Sequence, residues 1–214
     1  MISANPKEDE MVLAAGNGSG LNVARQDGNY HPTLWRTCRV LANMNRLASL
    51  ASVLKEPGLS VEQIATAAGI TETKAALSLR ALQSRGLIAA RRESRWVRYY
   101  PDPDPFVPSA EHVLAALRQC HVSGVTNGDV FRTVTAFTHP RRLIMLRCLQ
   151  INGTMPAETL AAKCHISLPA IYRHLSKLKN RALIHVTAAP KEISLINEQP
   201  ALTAVFLSLI ESET

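Results

Sequence analysis

From Leu34 onward the chain sets apolar residues at helical spacing, broken by short polar stretches. Leu34 to Leu41 and Asn45 to Leu54 each predict a helix, and Lys55 to Leu59, with Pro57 and Gly58, predicts the turn after the second. Ser60 and Gln63 have the spacing of a capping box ahead of V-E-Q-I-A-T-A-A, and Gly69 stands where that helix must stop. Thr71 is the expected N-cap of a fourth helix that runs on to Gly86. The period then changes. L-I-A-A-R-R and W-V-R-Y-Y flank a turn at Glu93–Ser94, which predicts a β-hairpin. Pro101 to Pro108 is a stiff, extended breaker, and Ser109 to Cys120 is again an amphipathic helix.

The pattern then returns. A shift of 96 residues superposes Arg46 and Leu47 on Arg142 and Leu143, Leu50 on Leu146, and Ile64 on Leu160. The same shift carries Ala75, Leu79 and Leu82 onto Ile171, Leu175 and Leu178, and Leu87 and Ile88 onto Leu183 and Ile184, without a gap. A period this long marks a duplicated domain, because solenoid repeats are shorter. The second copy ends in a weaker hairpin, His185 to Ile196 with its turn at Ala189–Pro190, and a helix from Pro200 to Glu211. Residues 1–29, rich in Gly, Asn, Ser and Ala, show no period and are read as a mobile tail; Met11 is a second candidate start. The expected organisation is this tail, a first domain over 30–122 and a second over 123–214. Its class is mainly α with small β-hairpins.

One stretch carries the chemistry. In Cys164 to Ile184, Ser167 is the expected N-cap and Pro169 falls in the first helical turn, where a missing N–H costs little. Ile171, Leu175 and Leu178 form an apolar stripe. At 100° per residue the opposite side carries Arg173, with Ser176 and Lys177 beside it and Tyr172 and Ala170 at its flanks. A helix that is apolar behind and basic, aromatic and hydroxylated in front suits a DNA major groove.

The segment S-L-P-A-I-Y-R-H-L-S-K-L-K-N-R-A-L-I, Ser167 to Ile184, resembles the recognition-helix segment of the ArsR-type winged-helix repressors. Upstream, A-F-T-H-P-R-R-L-I-M-L, Ala136 to Leu146, resembles the same family's entry to its second helix. With the repeat, the resemblance covers residues 32–214 twice over. It implies tandem winged helix-turn-helix domains and a sequence-specific, double-stranded-DNA-binding transcriptional regulator, expected to repress. Family members usually carry one domain and dimerise through their first and last helices. A tandem chain is therefore expected to fold as a single-chain pseudo-dimer, or else to form a homodimer of two-domain chains. The identity of a small-molecule effector is left open; any such ligand is expected to act by shifting the relative orientation of the two domains.

Charge sharpens this picture. The net charge of +7 divides into −2 over residues 1–29, +5 over 30–122 and +4 over 123–214, so both repeats are basic. In the first copy the residues equivalent to the basic helix face are Thr73, Leu77, Arg80 and Ala81, with Lys74 and Ala76 flanking. The first hairpin carries Arg91, Arg92, Arg95 and Arg98 among Trp96, Tyr99 and Tyr100, whereas the second offers only His185 and Lys191. The copies thus look complementary. The second is expected to read bases through Tyr172, Arg173, Ser176 and Lys177, and the first to hold phosphate through its arginine hairpin, with Lys74 and Arg80 nearby. A solvated basic helix face would show the same residues. So would a half-buried hairpin with Trp96 or Tyr100 facing the core.

Other chemistries find little support. Metal sensors of the resembled family carry a Cys-x-Cys before the recognition helix, and the matching segments V-E-Q-I-A-T-A-A and A-E-T-L-A-A-K-C lack it. The adjacent pairs Cys120-His121 and Cys164-His165 do not make a tetrahedral site alone. No metal or cofactor is expected, and the four scattered cysteines read as reduced and either buried or idle. His139, before Pro140, is expected to cap or pack at a helix junction. There is no Gly-rich phosphate loop and no nucleophile in a recognisable elbow, so the chain is not expected to be an enzyme. No apolar run has membrane-spanning length and the N-terminus does not read as a secretory signal, so a cytoplasmic protein is expected. The rival reading is a winged-helix protein–protein scaffold, for which an outward Leu77 is as well suited as for DNA.

Overall fold

In the computed structural model, residues 34–107, 109–188 and 191–212 are described. The N-terminal tail, Pro108 and the turn at Ala189–Pro190 lie outside the described residues. The chain is mainly helical with small antiparallel sheets, arranged as two helical units each followed by a hairpin. The first unit runs α1 (Leu34–Leu41), α2 (Met44–Lys55), α3 (Val61–Ala68), α4 (Glu72–Gln83), β1 (Ala89–Glu93), β2 (Trp96–Tyr100) and α5 (Ala110–Val122). The second runs α6 (Asn127–Ala136), α7 (Pro140–Asn152), β3 (Met155–Pro156), α8 (Ala157–Cys164), α9 (Leu168–Lys179), β4 (Ile184–Val186), β5 (Glu192–Leu195) and α10 (Ala201–Ser212). Both ends of α8 and of α9 fall where a shift of 96 residues carries α3 and α4.

Local chemistry fixes these boundaries. Ser60 Oγ accepts from the Gln63 amide while the Gln63 side chain accepts from the Ser60 amide, so the capping box is formed. Gly69 ends α3 in the left-handed region at φ 64°, and Thr71 accepts from the Lys74 amide at the start of α4. The second unit uses less favourable residues at the matching places. His165 takes the left-handed cap at φ 51° where the first unit has Gly69, and Ala182 adopts φ 55° where the first has Gly86 at 65°. Ser167 occupies the N-cap position of α9, but its side chain makes no capping bond. His139 caps α7 through Nδ1, which accepts from the Arg141 amide at 3.1 Å.

The hairpins differ. In the first, β1 and β2 pair with Arg91 opposite Arg98 and Glu93 opposite Trp96. Of its aromatics it is Tyr99 that packs on the core, while Trp96 is 45% exposed; the alternative of a half-buried hairpin therefore holds with Tyr99 inward in place of Trp96 or Tyr100, since the pleat turns Tyr99 the opposite way from both. In the second unit β3 adds to the hairpin, giving a three-stranded sheet in the order β3-β5-β4.

The units meet through equivalent helices. The first helices of the two units, α1 and α6, pack together, and so do the closing helices α5 and α10. A continuous apolar core runs from Leu34 through both units to Ile210. Phe137 and Phe206, both fully buried, meet edge to face with centroids 5.0 Å apart and tie α10 to the end of α6. All four cysteines lie outside any disulfide; Cys38, Cys120 and Cys164 are buried and Cys148 is half-buried. Among the described residues no helix is long and apolar enough to cross a membrane.

Candidate nucleic-acid interface

Helix α9 buries Ala170, Ile171, His174, Leu175 and Leu178 against α7 and α8. This apolar face is wider than the three-residue stripe predicts, and Ala170 is 3% exposed instead of standing at the edge of the outer face. The outer face is as expected: Tyr172, Arg173, Ser176 and Lys177 are all exposed. No acid is paired with Arg173 or Lys177 among the ion pairs of the described residues. Tyr172 is 46% exposed, and its hydroxyl donates to Glu158 Oε1 on α8 at 3.2 Å. Desolvation, and then the Glu158 carboxylate, hold the phenol above its ordinary range, so it remains a donor.

Behind the helix sits a pair that the sequence pattern does not reveal. The His174 ring lies 4.7 Å from the His139 ring, with His174 only 7% exposed and its Nδ1 buried without a hydrogen-bond partner. Burial, then His139, Arg142, Arg173 and Arg141, push the His174 imidazole down to about 4. Burial and the neighbouring Arg142 lower His139 as well. Both rings are therefore neutral at pH 7. Arg142 beneath them is buried and donates through Nη2 to the Thr135 carbonyl at 3.0 Å and to Thr138 Oγ1 at 2.6 Å.

In the first unit α4 presents Lys74, Leu77 and Arg80, all exposed, with Leu77 at 60%. The hairpin divides its four arginines. Arg91 is ion-paired with Asp102 and stacks over Tyr100, 4.6 Å from the ring centroid. Arg98 turns back onto the fold, its Nη1 donating to the Gly58 carbonyl and to Gln63 Oε1, each at 3.0 Å. Arg92 stands exposed on β1 and Arg95 exposed in the turn itself, which falls at Ser94–Arg95, one residue later than expected; Arg95 lies over the Trp96 ring at 5.2 Å and Arg92 Nε donates weakly to the Ser94 carbonyl at 3.4 Å. Of the four arginines grouped by the sequence, Arg98 serves to lock the hairpin onto α3 and Arg91 to hold the segment that follows it. Only Arg92 and Arg95 are left to outside anions.

Cys164, the most perturbed thiol, is raised to about 12 by burial and then by neighbouring Cys148, which keeps it protonated and unreactive. Among the described residues no group of three or more His, Cys, Asp or Glu side chains is placed to hold a metal ion. No family model matches the chain, and no curated protein matches it.

Proposed function

We propose that the protein is a sequence-specific DNA-binding transcriptional regulator, a repressor built as two tandem winged helix-turn-helix domains of ArsR type and not an enzyme. The observation that carries this reading is the outer face of α9. Arg173, Ser176 and Lys177 stand exposed together on a helix whose other face is packed. Such a face can enter a major groove and offer donors to base edges, while Arg92 and Arg95 contact phosphate without specifying sequence. The packing of α1 on α6 and of α5 on α10 supports a single-chain pseudo-dimer, since each pair joins equivalent helices. Repression would follow from occlusion of a promoter.

The test is fluorescence anisotropy on the DNA upstream of the protein's own gene, with a scrambled duplex as competitor. Wild-type protein is expected to discriminate between the two, and the Arg173→Ala/Lys177→Ala variant to lose that discrimination. Arg92→Ala/Arg95→Ala is expected to weaken both duplexes alike and to lower the slope of log affinity against log salt by about 2. Equal, salt-erased binding of wild-type protein to both duplexes overturns the reading. The rival, a protein–protein scaffold, draws on Leu77, an apolar side chain 60% exposed at the centre of α4. In that case the α9 double variant keeps its partner.

A further inference from the structure

The two units are not filled alike at one corner. In the first, the segment after β2 folds back over the end of α4: the Asp104 amide donates to the Gly86 carbonyl at 2.9 Å. It fits so closely that a Cβ on Gly86 would lie 2.8 Å from Asp104 Cβ and 2.9 Å from Val107 Cγ2. In the second unit the connection from β5 to α10 is the shorter stretch 196–200. Gln199 ties it to the Leu183 and Ile196 carbonyls through Nε2, at 3.3 and 2.7 Å. Ala182, at the place of Gly86, is exposed and lines an opening instead of a packed segment.

That opening is a cleft of about 410 Å³ between the end of α5, α6, the loop after α9 and the first turn of α10. Its size falls within the range of small-molecule sites. The lining combines an apolar floor, including Cys120, Val130 and Leu202, with two guanidinium groups, Arg132 and Arg181. Arg132 is paired with Asp129 at the rim at 3.3 Å. Arg181 is held from behind, Nε donating to Thr135 Oγ1 at 2.7 Å and Nη1 to the Lys177 carbonyl at 3.4 Å. The first turn of α10, whose backbone N–H groups have no preceding helical carbonyls to bond, closes one end. An apolar floor with fixed donors at its edge matches a ligand that has an apolar body and one anionic head.

We propose that this cleft between the two units is a binding site for a small, mainly apolar organic carboxylate, with Arg181 receiving the carboxylate. The site takes its open shape from the missing cover in the second unit, and its existence does not depend on DNA binding.

The experiment is calorimetric titration of the full chain, without nucleic acid, using octanoate and 1-octanol as probes. Wild-type protein is expected to bind octanoate saturably at one site. Val125→Trp and Ala201→Trp, which place bulk in the cleft at exposed lining positions, are expected to abolish binding while unfolding at the wild-type urea midpoint. Arg181→Gln is expected to weaken octanoate roughly tenfold, the worth of one charge-assisted hydrogen bond, and to leave octanol unchanged. The proposal is overturned if wild-type protein shows no saturable octanoate binding at millimolar concentration, or if neither tryptophan variant reduces it. An equal loss of octanoate and octanol in Arg181→Gln overturns the assignment of the carboxylate to Arg181.

Discussion

The two units share a plan but spend their charged side chains differently. In the first, the arginines lie on the hairpin, and half of them are used internally: Arg91 on Asp102 and Tyr100, Arg98 on Gly58 and Gln63. In the second, the cations lie on α9, and Arg173 and Lys177 face outward. The hidden face differs too. Where the second unit packs the half-buried His139 against the buried His174, a shift of 96 residues reaches Asn43 and Ser78, neither of which titrates near neutrality. The left-handed caps follow the same division, glycine in the first unit and His165 and Ala182 in the second. The two units thus share the backbone geometry of α3 and α4 with α8 and α9, while the side chains that face water, protons or strain differ.

This comparison can be broken at several strengths. The largest effect is expected at Phe206, fully buried against Phe137 where α10 anchors to the second unit. Phe206→Ala should cost about 3–5 kcal/mol in urea unfolding, and a loss below 1 kcal/mol would mean that α10 is not part of the cooperative core. Next come the outer helix faces. Arg173→Ala should cost about 1–3 kcal/mol of specific DNA affinity, and Arg80→Ala, on the outer face of α4, less. Equal losses would erase the asymmetry between the units.

Acid should act on the His139–His174 pair of the second unit. The native His174 imidazole is pushed down to about 4, below its ordinary 6.5, so between these values the unfolded chain binds the proton more readily. Stability is therefore complete above that ordinary value and falls as the pH drops towards 4. The urea midpoint should be lower at pH 5 than at pH 7. Replacing His174 with the first unit's residue, His174→Ser, should flatten much of that slope, with His139 responsible for the remainder. The smallest effect tests the caps. Ala182→Gly relieves a left-handed backbone and should raise stability by about 1 kcal/mol, whereas Gly86→Ala should lower it, because the added Cβ meets Asp104 and Val107.

Helix ends and the repeat were legible in the sequence because both depend on local rules. The Ser60–Gln63 box and Gly69 mark α3 by their own hydrogen-bonding and backbone preferences. Residues that contribute through tertiary contact were not. Strand β3 spans only Met155–Pro156, too short to show an alternating period, and exists by pairing with β5. Ala170 and His174 lie on the buried face of α9, but a small residue and a titratable one add little to an apolar pattern. The outward residues of α9 were readable from helical geometry. Arg98 was not, because its partners Gly58 and Gln63 lie far off in the chain and a strand pattern does not say where a long side chain bends.

The packing of α1 on α6 and of α5 on α10 has a further effect, since both members of each pair belong to one covalent chain. Two separate subunits drift apart on dilution, so the amount of a paired form rises with the square of a scarce subunit's concentration. Here the halves remain at a fixed mutual concentration however few molecules are present. The paired form then rises in simple proportion to the number of chains made, with no assembly threshold. And because the halves are not copies, the joined surface has a head and a tail.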